Sequence, residues 1–396
     1  MSTADTSSRP DPTEEHGSQV LQPSLPEPAE EALGGEWVSL SQWQLIWRRF
    51  RRNRMAILGS VIVFLFYFCA LFADALAPYS VDTRFTDQMY APPMAIHFVD
   101  AHGKFYLQPF VYKMKREINR DTLEISYTPD TSVMYPIHLF VKGDAYKFLG
   151  LFKADRHLFG LEQPKAAIFL LGSDRQGRDQ LSRCLLGSRV SLSVGLLGVL
   201  IGITMGSVLG VVSGYFGGTV DDLVQRFSEL LMSIPQIPLW MALAAILPVT
   251  WSAVRVYFGI TVILSLLNWG GLARQVRGKT LALREEGYTL AARAAGAGDW
   301  WIISRHLLPN NASHIIVIAT LSIPYMILGE TALSFLGLGI RPPMTSWGVL
   351  LEEAQNVKVI VSHIWLIAPA LLVIIAVLGF NFLGDGLRDA VDPYSK

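Results

Sequence analysis

The sequence predicts an all-α polytopic membrane protein. It should have six transmembrane helices and a β-containing extracytoplasmic insertion between the first and second. Three observations carry this. Of 396 residues, 51% are hydrophobic and 17% charged, and mean hydropathy is +0.35. The apolar residues gather into six runs of about the length that crosses a bilayer, roughly 20 residues. An arginine cluster, Arg48, Arg49, Arg51, Arg52 and Arg54, stands directly before the first run.

Taken in order, residues 1–40 are polar, Pro-rich and acidic, as in "STADTSSRPDPTEEHGSQ". Such a segment cannot bury a core and reads as a disordered cytoplasmic tail. It lacks the basic and apolar regions of a cleaved signal peptide. Residues 41–76 hold an amphipathic approach and the first transmembrane helix. The apolar runs are 56–76, 190–212, 230–247, 256–273, 315–338 and 364–383. In hydrocarbon each backbone polar group needs an internal partner, so these runs read as helices. Basic residues favour the cytoplasmic side, so the arginine cluster places the N-terminus inside, and six crossings return the C-terminus there. The stretch 274–311 then also faces the cytoplasm, with Arg274, Arg277, Lys279, Arg284, Arg293 and Arg305. Residues 77–170 contain "KFYLQPFVYKM", "TLEISY" and "YPIHLFVKGDAYKFLGLF", aromatic and β-branched with partial alternation. They read as a small β-rich extracytoplasmic insertion. It either shields the outer mouth or contacts a partner. Residues 171–396 form the transmembrane core.

Some residues inside these runs stand out. Gly198, Gly202, Gly206, Gly210 and Gly214 recur every fourth position. That spacing makes a groove for close helix packing, with a solute path as the second reading. Pro235 and Pro238 should bend the third run by freeing backbone carbonyls. Glu330 is the costliest intramembrane charge. It fits either a structural hydrogen-bonding role or a place on a pathway or gate. Cys69 and Cys184 are two isolated thiols, and the eight histidines show no ligand spacing, so no disulfide framework or metal site is expected. Zero net charge gives no nucleic-acid signal. "ARQVRGKT" nearly spells a phosphate loop, but Ala273 replaces its first glycine and no strand precedes it. No nucleophile and base share a motif, so enzyme chemistry has little support.

The stretch "YTLAARAAGAGDWWIISRHLLPN" separates two apolar runs. It reads as an elbow within 285–309. One helix covers 285–295, with small Ala291, Ala292, Ala294 and Ala295. Gly296 breaks it with a residue free to take positive φ. Asp299 is expected to cap a second helix over 300–308, and Pro309 to end it. A small-residue surface beside two aromatics suits docking into a groove on another protein, and a plain connecting loop is the equal alternative on the residues alone.

This stretch resembles the cytoplasmic coupling loop of binding-protein-dependent ABC importer permeases, the "EAA" loop. Ala291, Ala292, Gly296, Leu308 and Pro309 stand in register with that pattern, whereas Leu290 occupies its acidic position and His306 its usual Ile position. "LGSDRQGRDQLSRCLLGSRVSLSVG", "SGYFGGTVDD", "ALSFLGLGIRPPMTSWGVLL" and "NFLGDGLRDAVDP" are similar to segments of dipeptide, oligopeptide and nickel permeases. The resemblance covers about 47–77 and 171–393. It implies a type I ABC importer fold and a transport subunit rather than an enzyme. A second homologous permease, two ATPase subunits and an extracytoplasmic solute-binding protein are the implied partners. The chain would bind no cofactor itself, ATP and Mg residing on the ATPases. Leu290, Ala291, Ala292, Gly296, Asp299, Leu308 and Pro309 would form the ATPase-coupling surface. The competing class is a stand-alone channel or receptor-like membrane protein without ATPase partners.

Overall fold

A computed structural model describes residues 41–118, 125–148, 151–163 and 166–391. The expected tail, 1–40, lies outside the described residues. Helix α1 (Gln42–Arg52) meets α2 (Arg54–Leu71) at Asn53. The Asn53 side chain caps α2 by accepting from the amides of Met55 and Ala56, at 3.0 and 3.2 Å. The first apolar run is not one helix to its end. It breaks at Phe72 and resumes as the single turn α3 (Ala73–Leu76).

Between α3 and the next helix the chain is extended. Strands β1 (His97–Val99), β2 (Phe105–Ile118) and β3 (Ile125–Pro136) form an antiparallel sheet in that order. Strand β4 (His138–Phe148) pairs with β5 (Phe152–Gly160) as a separate antiparallel pair. Val111, Ile137, Ile168 and Phe169 are buried together beneath these strands. His157 pins β5 to the end of α3. One ring nitrogen lies 2.5 Å from the Ala77 carbonyl and the other 3.0 Å from that of Asp144.

Helix α4 (Gln180–Phe216) follows, capped by the Asp179 carboxylate. Then come α5 (Gly218–Ser233), α6 (Gln236–Ala245) and α7 (Ala253–Arg284). The third apolar run, expected over 230–247 with a bend at its prolines, spans the bent pair α5 and α6, turned by 87°. The cause is local. Ile234 is extended (φ −89°, ψ 132°), as a residue before proline prefers, and Pro235 follows it. Helix α7 runs well past its expected apolar end at 273, because Val276 and Thr280 stay buried against α4.

A short helix α8 (Gly287–Ala294) leads to α9 (Asp299–Ile302). The π-helical turn Ile303–Leu307 joins α9 to α10 (Leu308–Phe335) without a break. The last elements are α11 (Trp347–Glu352), α12 (Val357–Ser362) and α13 (Ala368–Val391). Among the described residues five helices are long and apolar enough to cross a membrane: Arg54–Leu71, Gln180–Phe216, Ala253–Arg284, Asp299–Phe335 and Ile364–Val391. The bent pair makes up to a sixth. The main core lies among α4, α6, α7, α10 and α13, where Leu192, Trp240, Ile260, Leu264, Ile327 and Phe380 meet.

Candidate functional site

The elbow is built by a helix end that cannot continue. In α8 the amide of Gly296 donates to Arg293 O, and that of Ala297 to Ala292 O, both at 3.0 Å. This is the Schellman arrangement, and it places Gly296 at the left-handed position with φ +82°. Ala292 and Ala297 complete it by packing on the same buried cluster, which includes Ile302, Ile303 and Leu307. A Cβ on Gly296 would meet nothing within 4 Å. The need for glycine here is therefore conformational, not steric.

Two expectations for the elbow fail. Asp299 is not the cap of the second helix; Gly298 holds that position, and no side chain caps it. The Asp299 carboxylate instead accepts from the Tyr215 hydroxyl at 2.6 Å. Pro309 does not end a helix but sits at the start of α10, directly after the π-helical turn Ile303–Leu307.

Tyr215 is the pivot of the arrangement. It lies one residue from the end of α4 and is buried. While its hydroxyl holds Asp299, its ring lies 5.4 Å from the Arg293 guanidinium carbon. Arg284, at the end of α7, reaches the carbonyls of Gly214 and Tyr215 at 3.4 Å. The Thr289 hydroxyl donates to Leu283 O at 2.8 Å and closes the turn from α7 into α8. Arg277 of α7 pairs with Asp221 of α5, which also accepts from the Ser213 hydroxyl. The ends of α4, α5, α7, α8 and α9 are thus tied together by polar groups. Sequence reasoning missed this set. Its signal was available, since charged and aromatic residues at the ends of apolar runs need partners.

What remains outside the ties is apolar and exposed. Trp300 and Trp301 are 66% and 50% exposed, and Leu290 and Tyr288 are exposed beside them. His306 sits between Tyr288 and Trp301, with ring centroids at 5.7 and 5.0 Å. Ala291 is exposed as well, whereas Leu308 is only half-buried and Pro309 exposed. The elbow residues named from sequence therefore fall on one continuous segment, but Asp299 serves its inner side.

The glycine stripe of α4 faces α7. A Cβ on Gly210 would come 2.5 Å from Ala273 O and 2.9 Å from the Val276 Cβ. One on Gly206 would meet Trp269 O at 2.9 Å, and one on Gly214 Arg277 O at 2.9 Å. Gly198 faces Met326 of α10 at 3.2 Å, and Gly202 has slack, with Ser265 O at 3.8 Å. Glu330 is fully buried between α4 and α10. It accepts from the hydroxyls of Ser191 at 3.0 Å and Ser334 at 2.7 Å. Those hydroxyls in turn accept the amides of Trp347 and Ile340 at 3.1 and 3.0 Å. The carboxylate thereby organises the chain between α10 and α11.

At the far end of α4 lies a buried ionic cluster. Arg178 Nε meets Asp174 at 2.6 Å, and Arg183 pairs with the same carboxylate. Glu353 lies 3.6 Å from Arg178, 3.9 Å from Arg183 and 3.5 Å from Arg175. Burial, with Asp174 nearby, pushes the Glu353 carboxyl above the usual range. Asp174, Arg178 and Arg183 belong to the motif before the second apolar run; Glu353 gave no sequence signal.

Comparison with known proteins accounts for this architecture. Residues 206–395 match the binding-protein-dependent transport system inner membrane component family. Residues 41–93 match the N-terminal TM domain of oligopeptide transport permease C. The chain is 39% identical over 235 residues to the glutathione transport system permease protein GsiD of Pectobacterium atrosepticum, covering 59% of this chain and 75% of that protein. It is 32% identical over 354 residues to GsiD of Escherichia coli, covering 89% and 91%. The Shigella boydii protein matches at the same identity and coverage. The relatives are named as permease proteins of a transport system, and the matching family is one of transport components rather than enzymes. The chain belongs to the binding-protein-dependent inner membrane components, as a multi-pass permease subunit of an ABC importer of the peptide and oligopeptide group.

Proposed function

We propose that the elbow 285–309 is the surface on which an ATPase subunit docks, and that its movement drives alternating access of the helical core. The observation that carries this is the exposed apolar face of Tyr288, Leu290, Trp300 and Trp301, fixed by the Gly296 turn and tied from behind by Tyr215. Ala291 and Pro309 are exposed on the same segment, Ala292 and Leu308 anchor it to the buried cluster, and Asp299 holds it in place. Six spans put both termini in the cytoplasm, with the bent pair α5 and α6 counted as one crossing. Residues 1–40 then form a cytoplasmic tail, 41–76 the approach and first span, 77–170 an extracytoplasmic insertion, and 171–396 the core. The strands of the insertion reach the solute-binding protein. A second homologous permease completes the pathway, and two ATPases hold the ATP and Mg. Gly198, Gly202, Gly206 and Gly210 serve packing, and Glu330 braces the bundle rather than lining a gate. The solutes are peptides of a few residues, the class to which the glutathione named for the relatives belongs.

The test is Gly296→Asp. A side chain at φ +82° costs about 1 kcal/mol or more in the backbone. The variant should insert and pair with its permease partner. The ATPase subunits should co-purify weakly, or hydrolyse ATP without binding-protein-dependent peptide uptake in proteoliposomes. Wild-type assembly and uptake would reduce the elbow to a connector.

A further inference from the structure

A groove of about 690 Å³ lies where α1, α2 and α13 meet. This is within the range of small-molecule sites, about 300–1,000 Å³. Its walls are apolar: Trp47 and Phe50 from α1, Ile57 and Val61 from α2, and Leu383 and Leu387 from α13. Ser60 also lines it, but its hydroxyl already donates to Ala56 O at 2.7 Å. Arg51 lines the groove, and Arg54 shares a helix face with Ile57 and Val61 by the i, i+3, i+7 rule. Both arginines flank Asn53, where α1 turns into α2, and both are exposed. The nearby Asp389 carboxylate is engaged by the Asn53 amide at 3.2 Å. Among the described residues neither Arg51 nor Arg54 forms an ion pair.

An apolar trough with one arginine in its wall and a second on the adjoining face of α2 has the polarity of an anionic phospholipid. We propose that this groove binds one: an acyl chain lies along Ile57, Val61 and Leu383, and the phosphate meets Arg51 and Arg54. A zwitterionic lipid would bring its ammonium group toward the same arginines and is disfavoured. A neighbouring protein helix would bury the two cations without a counter-charge. The exposed Leu58, Phe64 and Leu65 continue the apolar surface along α2, so the groove is open to lipid along its side. Clusters of basic residues beside a membrane helix attract anionic headgroups at about 1 kcal/mol each.

The experiment uses the assembled transporter, delipidated and titrated with phosphatidylglycerol or phosphatidylcholine, with bound lipid counted by native mass spectrometry. Phosphatidylglycerol should bind at least tenfold more tightly, and less tightly as salt rises. Arg51→Gln with Arg54→Gln should weaken it about 30-fold, two cations at the stated strength. Arg48→Gln with Arg52→Gln removes equal charge away from the groove and should change it less than threefold. Ile57→Trp, which fills the trough and keeps the arginines, should also weaken binding. Equal loss in both arginine pairs would mean diffuse surface attraction and overturn the site. So would equal binding of the two lipids, or a cross-link from Ile57→Cys to a partner permease in place of lipid.

Discussion

Asp179 accepts from the Ser182 amide and hydroxyl, each at 2.7 Å, at the buried start of α4. Burial pushes its carboxyl up to about 7, with Asp174 adding to the rise, while the Ser182 bonds hold it down. An unfolded Asp titrates near 3.9, so the folded chain binds the proton more tightly. The protonated form favours folding below about pH 4, and that contribution is lost as pH rises toward 7. Asp179→Asn keeps an acceptor for Ser182 and cannot ionise. Between pH 4.5 and 7.5 the wild-type Tm in detergent should therefore fall relative to the variant. A constant difference would show that the proton is not held there. At this scale the sequence was partly legible. Glu330 was recognisable because a carboxylate in an apolar run is rare, and its partners Ser191 and Ser334 were not, because serine is common in membrane helices. The Tyr215–Asp299 bond was hidden for another reason. It spans 84 residues, and the capping rule offered Asp299 a nearer role that Gly298 had already taken.

The helices themselves were readable as apolar runs, but their ends were not. Apolarity stops where lipid stops, whereas α4 and α7 remain packed on each other beyond it, so α7 reaches Arg284. The bend between α5 and α6 depends on a single extended residue, which proline permits but does not compel in a membrane helix. The glycine stripe allows a graded test of the α4–α7 contact. Gly210→Ala would place a Cβ against Ala273 O at 2.5 Å, and Gly202→Ala one no closer than 3.8 Å to its nearest neighbour. Overpacking of a close contact costs roughly 1–3 kcal/mol. Gly210→Ala should lower thermal stability in detergent by that amount, and Gly202→Ala should leave it within about 0.5 kcal/mol. Equal effects would mean the helices can separate freely along the stripe.

For the whole molecule, the proposed topology puts the strands and the elbow on opposite sides of the membrane. Leu107 of β2 is 89% exposed, and Ala295 at the elbow is exposed. In a Cys69→Ala background, with Cys184 left buried, Leu107→Cys should react with an impermeant thiol reagent in intact cells. Ala295→Cys should react only after permeabilisation. The opposite pattern would move the elbow away from any ATPase. The proposed orientation rests on the arginine cluster before α2, because positive charge in short flanks has a side preference. The strand pairing was less so, since alternation in 77–170 is partial and β2 shifts register against β3 between Tyr112 and Lys113.

From Asp299 to Phe335 the chain is one uninterrupted rod of 37 residues, about 55 Å long at 1.5 Å per residue. Its foot carries Trp300 and Trp301, and near its head sits Glu330, gripping Ser191 of α4. A rod without a joint transmits torque. Any roll imposed on the tryptophans turns the carboxylate at the opposite end through a comparable angle, unless the π turn at Ile303–Leu307 tightens and absorbs it. One residue's worth of extra winding is stored there, equal to about 100° of rotation. That turn is therefore where the two ends can part company: at its present winding it passes a roll of the foot to the head, and drawn in to an α-helical turn it takes the roll up itself.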